Sequence, residues 1–533
     1  MPFAAKGHFL RQPLSALETR FERKPDLKHP RPPLWLMLAA VFISLPLLLP
    51  FLYLIFRSYE VGLERSIELL WRPRMAELLL NTLYLMVGVT AVAVTVGTVC
   101  AFLLERCRFW GKPFFQTTVA LPLCIPAFVS CFTWISLTFR MEGLFGTIAI
   151  LSLSYAPLAY LPVAAALKRL DRSLQEVSLS LGKSPVQTFW FAVFPQLKPA
   201  IGSSILLIAL HMLVEFGAVA ILNYQTFTTA IFQEYDMSFD NNTAALLSAV
   251  LMLICFIVVG GEMLFRGKAK LFHSGKGVIR PYPVKTLTGW QQAAAVLFLT
   301  ALFAVSIGVP VGTLAYWLVE GNSKNSLDSL SDFAEAFGNS LMMSSLGALL
   351  TVAAALPLVW CAVRYRSRFT LWLDRLPFLL HAVPGLVIAL SLIYFTINYA
   401  YPLYQTFAVI IAAYFILYLP VAQTALRSPI ELLPENMEKI GQSLGRGNIY
   451  IFRTLVVPAM LPGITAAFAL VFLNLMKELT ATLLLTPNDI KTLSTAVWSY
   501  TSDAQYAAAA PYAAMLILFS GIPVFLLKKY AFQ

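Results

Sequence analysis

Long apolar stretches recur from residue 34 almost to the end of the chain, separated by short polar segments rich in Lys, Arg, Gly and Pro. A helix needs about 20 apolar residues to cross the hydrocarbon core of a bilayer. Twelve runs reach that length, near 34–56, 77–104, 114–137, 144–167, 201–222, 243–265, 291–317, 339–363, 376–396, 405–426, 463–485 and 508–527. The pattern predicts an all-α polytopic membrane protein with about twelve transmembrane helices. In the third and ninth runs, Pro122, Pro126, Pro377 and Pro384 predict kinks, because each proline removes a backbone donor and frees a carbonyl.

The runs fall into two copies of one six-span unit. Asn81-Thr82 matches Asn339-Ser340, Pro126-Ala127 matches Pro384-Gly385, and Tyr160-Leu161-Pro162-Val163 matches Tyr418-Leu419-Pro420-Val421, all at an offset of 258. A five-residue insertion then moves the offset to 263, where Gly182 matches Gly445, Pro195 matches Pro458, and Glu215 matches Glu478. Ordered matches of this kind identify an internal repeat. The expected division is a basic tail over 1–33, a first unit over 34–265, a linker over 266–290 and a second unit over 291–533. An even number of spans per unit gives both copies the same orientation, related by a pseudo-twofold axis along the membrane normal.

Composition supports this reading: 59% of residues are hydrophobic, 12% are charged, and mean hydropathy is +0.73. The net charge of +12 is distributed as a membrane topology signal rather than a nucleic-acid surface. Placing both termini in the cytoplasm puts 31 of the 39 Lys and Arg residues on that side, whereas Glu234, Asp236 and Asp240 lie opposite. The first run is too long for a signal-peptide core and is expected to be retained. Six cysteines without CxxC or Cys/His spacing suggest neither disulfides nor a zinc site.

Between the fourth and fifth spans each copy carries a polar-ended segment, SLGKSPVQTFWFAVFP from Ser180 and SLGRGNIYIFRTLVVP from Ser443. Val186, Phe189, Trp190 and Val193 are spaced for one helical face, matched by Ile449, Phe452 and Val456, with Arg453 at the tryptophan position. Gly182 and Gly445 stand where one helix stops and the next begins. The expectation is a helix, a glycine turn and a short amphipathic helix ending near a proline. Such a helix rests on lipid or on a soluble partner.

This segment resembles the EAA motif of bacterial ABC importer permeases. In the first copy Glu176, Gly182 and Pro195 occupy the Glu, Gly and Pro positions of that motif. In the second, Gly445 and Pro458 match, but Lys439 takes the glutamate position, with Glu438 one place earlier. The resemblance implies that these segments couple to two ATP-binding subunits at the cytoplasmic face. It also implies a periplasmic or extracytoplasmic substrate-binding protein and a multi-pass inner-membrane location. The chain has no phosphate-cradling Gly-x-x-x-x-Gly-Lys-Ser/Thr loop, so it is expected to be a permease and not an enzyme, without a cofactor of its own.

Over nearly its whole length the chain looks most like the fused permeases of iron(III) importers, through EFGAVAILNYQTFTTAIFQ from Glu215 and MKELTATLLLTPNDIKTLSTAVW from Met476. Thiamine, polyamine and sulfate permeases share parts of the layout. An ion-coupled secondary transporter is a weaker alternative, lacking a charged relay at mid-membrane. Glu215 and Glu478, with His211 and Asn474 one turn earlier, are the candidate translocation path, because intramembrane charges face pathways or partners. The competing reading has these carboxylates cap a helix end, with Lys477 neutralising its neighbour. His381 reads as structural, and no stable metal site is expected.

Overall fold

The computed structural model describes residues 32–531, apart from 171–172, 267–283, 322–329, 366, 381, 435–436 and 438–442. The basic tail before residue 32, most of the linker, Glu438, Lys439 and His381 therefore lie outside the described residues.

Helices dominate, as the apolar runs predict. Among the described residues, nine are long and apolar enough to cross a membrane, and up to eleven if each of two bent pairs counts as one span. The last run lies in the helix Tyr506–Ala531, of which the apolar stretch Tyr506–Gly521 alone falls short of a span, so the count of twelve is not established. The proline-rich runs bend sharply: Lys112–Cys124 meets Ala127–Leu137 at 92°, and Arg368–Leu380 meets Gly385–Tyr399 at 106°. Two short parallel strands, Cys107–Arg108 and Lys285–Thr286, are the only departure from helix and loop among the described residues. They tie the end of the first unit's second span to the linker.

The two units correspond in detail. Thr82 Oγ1 accepts the Phe227 N–H at 3.2 Å, and Ser340 Oγ accepts the Leu493 N–H at 2.7 Å. Thr226 with Thr229 and Thr492 with Thr495 form matching capping boxes at the helices they precede. Arg106 donates to the Leu167 carbonyl and Arg364 to that of Leu433, each at 3.1 Å.

One register assignment changes. The fourth spans are Gly143–Arg169 and Phe407–Leu432, which places Tyr155, not Tyr160, opposite Tyr418. The inserted residues lie before these spans: the outer leg of the bent pair is Ala127–Leu137 in one unit and Gly385–Tyr399 in the other. A Tyr-Leu-Pro-Val string fixed the wrong register because apolar helices repeat such strings by chance. The true counterpart is the tyrosine that makes the same hydrogen bond, to Glu215 in one unit and Glu478 in the other.

The units are interlocked. The first unit's leading helix, Leu34–Val61, reaches the second unit, where the Tyr53 and Tyr394 rings stand 5.5 Å apart and the Arg57 guanidinium lies 4.7 Å from the Tyr394 ring. In exchange, Trp317 of the second unit's leading helix donates to Ser136 Oγ at 3.1 Å. Two large apolar cores each draw residues from both units, so neither unit buries its core alone.

Candidate translocation path and coupling turns

The fifth spans do not run unbroken as the apolar runs 201–222 and 463–485 predict. One helix ends at Val214 and a short one resumes over Gly217–Ile221; its counterpart ends at Met476 and resumes over Thr480–Leu485. Glu215 and Glu478 sit at these two breaks. Gly217 is required there by a close approach: a Cβ would stand 2.6 Å from Leu479 Cδ2 and 3.2 Å from Phe128 Cβ. The break of one unit thus packs directly on the break of the other.

Each carboxylate is held in the same way. Tyr155 donates its hydroxyl to Glu215 Oε2 at 2.7 Å, and Tyr418 donates to Glu478 Oε2 at 2.7 Å. Glu215 Oε1 accepts the Ala218 N–H at 3.2 Å, and Glu478 Oε1 accepts that of Ala481 at 3.0 Å. The carboxylates therefore do cap the short helices, as the competing reading supposed. A carboxylate has about four acceptor sites, so these bonds leave acceptor capacity on every oxygen. The two breaks that carry the glutamates meet through Gly217 and Leu479, and both side chains are only half-buried.

His211 packs its ring 5.5 Å from that of Tyr155 and its Nδ1 lies 2.8 Å from the Leu207 carbonyl oxygen; Asn474 donates to the Leu470 carbonyl at 2.8 Å. Both bond back along their own helices, and His211 reaches Glu215 only through Tyr155. Lys477 does not neutralise Glu478. Its Nζ turns to the Leu123 carbonyl of the first unit, at 2.5 Å, one of the groups freed by the Pro122–Pro126 bend.

Next to the carboxylates lies an aromatic trio. Phe216, 2% exposed, has ring centroids 4.8 Å from Phe232 and 5.2 Å from Trp498. Phe232 and Trp498 occupy equivalent places on the capping-box helices Phe227–Asp236 and Leu493–Ser502. Sequence reasoning passed over Tyr155, Tyr418 and this trio. The available signals were Tyr-x-Pro at offset 263 and an aromatic residue a fixed distance after each matched threonine.

The polar-ended segments lie at the opposite ends of the fifth spans. Gly182 has φ +78° and Gly445 φ +72°, so both turns are left-handed as expected. Ser173–Ser180 is a helix before the first turn, with Glu176 exposed on it. The segment after the turn is not a separate short helix. From Val186 the chain runs continuously into the span that ends at Val214, and the second copy does likewise. A π turn over Phe189–Val193, and another over Phe452–Val456, precedes Pro195 and Pro458. The wider turn absorbs the donor each proline lacks, so the helix survives it.

This geometry splits the expected apolar face. Val193 and Val456 are buried and Phe189 is half-buried, whereas Trp190, Phe191 and Val186 are exposed. The side chains of Ile449 and Phe452 lie outside the described residues, and Arg453 is exposed.

Removing both tyrosine hydroxyls, Tyr155→Phe with Tyr418→Phe, deletes two part-buried hydrogen bonds to carboxylates, worth about 1–3 kcal/mol each. Thermal inactivation of the detergent-solubilised protein is expected to shift down by several degrees. An unshifted profile would show that these bonds do not hold the breaks.

Residues 93–263 and 347–530 both match the family described as binding-protein-dependent transport system inner membrane component. The Fe(3+)-transport system permease protein FbpB 2 of Haemophilus influenzae is 71% identical over 503 residues, which cover 94% of this chain and 99% of that protein. The ferric transport system permease protein FbpB of Actinobacillus pleuropneumoniae is 24% identical over 529 residues, 91% of this chain and 75% of its own. The sulfate transport system permease protein CysT of Synechocystis is 26% identical over 248 residues, only 41% of this chain but 84% of its own, and so corresponds to a single unit.

Proposed function

We propose that this chain, which belongs to the family of binding-protein-dependent transport system inner membrane components, moves ferric iron inward by alternating access. Two separate ATP-hydrolysing subunits drive the cycle, and an extracytoplasmic binding protein delivers the cargo. The observation that carries the substrate is the 71% identity, along almost the whole of both chains, to a relative named as an Fe(3+)-transport permease. The paired carboxylates agree with it, since a hard trivalent cation prefers anionic oxygen ligands.

Both termini lie on the cytoplasmic side, with the chain divided as tail, unit, linker over 266–290, and unit. The Gly182 and Gly445 turns then face the ATPase subunits. There Glu176, Trp190 and exposed apolar neighbours of the first copy, and Leu444, Tyr450 and Arg453 of the second, form two unequal contacts. Because each turn leads without interruption into a fifth span, closure of the ATPase pair is transmitted along that helix to Glu215 or Glu478. Glu215, Glu478 and their tyrosines form an all-oxygen constriction. No group of three or more His, Cys, Asp or Glu able to hold a metal occurs among the described residues.

The aromatic trio closes this path on the outer side. Replacing its central member, Phe216→Ala, removes a buried ring whose loss costs about 3–5 kcal/mol of packing. The expected result is ATP hydrolysis that no longer depends on loaded binding protein, read as basal ATPase rate in proteoliposomes. A rate still fully dependent on binding protein would argue against the gate. The reading as a whole is tested by uptake into proteoliposomes carrying the assembled transporter. Ferric iron should enter on ATP addition, while thiamine, spermidine and sulfate should not; ATP-driven entry of one of those solutes in place of iron would overturn it.

A further inference from the structure

Beyond the aromatic trio, on the face opposite the Gly182 and Gly445 turns, the two units line a half-open cavity of about 480 Å³. Phe216, Phe232 and Trp498 line it where it adjoins the carboxylates. Its volume equals that of about sixteen waters at ~30 Å³ each, far more than a bare metal ion fills.

Its chemistry differs from that of the constriction. Glu142 is the only carboxylate lining it among the described residues, and no Lys, Arg, His or Cys takes part. Direct coordination of a hard trivalent cation needs several anionic oxygens, which one glutamate does not supply. The cavity instead offers unused neutral hydrogen-bonding capacity. Among the described residues, the exposed side chains of Asn223, Gln225 and Ser502 and the half-buried one of Gln233 make no hydrogen bond within the protein. Thr501 is 8% exposed, and its Oγ1 has no partner at all. Buried polar groups are normally satisfied, so an orphaned hydroxyl at a cavity wall marks a place where a polar ligand or water completes the set.

We infer that this cavity is a vestibule for a ferric ion still wrapped in small oxygen-donor ligands, recognised through those ligands by amide and hydroxyl groups and not by the metal itself. The inference rests on the ferric reading for the metal; the mode of recognition rests on the cavity. Amides and hydroxyls both donate and accept, so they suit the oxygen-rich outer surface of such a complex. Direct contact between metal and protein is then deferred to the Glu215 and Glu478 level.

An exchange-inert complex separates outer-surface recognition from metal coordination, because its ligands do not leave on the timescale of transport. Chromium(III) tris-oxalate is the probe. In proteoliposomes with the assembled transporter and iron-loaded binding protein, it should inhibit uptake of radioactive iron. Gln233→Leu with Thr501→Val removes two hydrogen-bonding groups from the wall, and should raise the half-inhibitory concentration at least about tenfold. Copurification of the ATPase subunits verifies assembly of the variant.

Chromium bound to the detergent-solubilised complex is measured in parallel and needs no turnover. Chromium binding that the double variant weakens supports the vestibule, even if iron is never taken up, a result that would defeat the ferric reading alone. Absence of bound chromium, or inhibition equally strong in wild type and variant, overturns the vestibule while leaving iron transport standing.

Discussion

Exchanging both intramembrane glutamates for their amides, Glu215→Gln with Glu478→Gln, is expected to cut iron uptake by at least about thirtyfold while the ATPase subunits remain bound. One pair of unit charges 4 Å apart interacts by ~4 kcal/mol at an effective dielectric of 20, and losing half of that at the highest barrier slows passage by about thirtyfold. The substitution keeps size: the amide oxygen can accept the Ala218 or Ala481 N–H in place of Oε1, while the amide nitrogen in place of Oε2 donates to the Tyr155 or Tyr418 hydroxyl, which turns its own proton away. The helix-capping bond therefore survives and the tyrosine bond reverses direction, while the charge is lost. Each single variant retains one carboxylate and should fall between wild type and the double variant. Uptake unchanged in the double variant, measured with radioactive iron in proteoliposomes, would reduce the two carboxylates to helix caps.

The second large effect is expected at the two left-handed turns. A Cβ at Gly182 or Gly445 would meet nothing within 4 Å, so substitution acts on the backbone alone. A left-handed conformation costs a residue with a Cβ about 1–2 kcal/mol, more for a β-branched side chain and less for asparagine. Gly182→Val with Gly445→Val should release most of the ATPase subunits on copurification, Gly182→Asn with Gly445→Asn few of them, and the alanine pair should fall between. The graded order distinguishes a conformational requirement from a simple loss of contact. Full ATPase occupancy in the valine pair would remove the turns from the coupling path.

Much of this architecture is legible one residue at a time. Apolar runs located the helices, and paired prolines located the two sharp bends. The matched Ser-Leu-Gly segments located the turns, because glycine in that context has a restricted set of uses. The repeat likewise brought Glu215 and Glu478 to notice as a pair. Where sequence reasoning failed, the missing information was not local. An apolar run does not reveal that its helix stops at Val214, just before the place where Gly217 meets Leu479 from the other unit. The separate coupling helix was expected because Pro195 and Pro458 look like terminators, and the π turns that carry the helix past them have no composition of their own.

Partner choice was the least legible feature. Lys477 stands beside Glu478 in sequence yet bonds to Leu123, 354 residues away. Tyr155 lies 60 residues from the glutamate it holds, and a chance string directed attention to Tyr160 instead.

By itself, then, the sequence determined the helical membrane class, the duplication, the bends and the turns. Each follows from a short-range rule: apolar length against bilayer thickness, proline against helix, glycine in left-handed backbone. Only the tertiary structure decided where the fifth spans break, which tyrosine holds which glutamate, which way Lys477 turns, and how Phe216 comes to lie against both Phe232 and Trp498. Those outcomes depend on two interlocked units meeting at a common axis, and no window along one strand of sequence contains both sides of that contact.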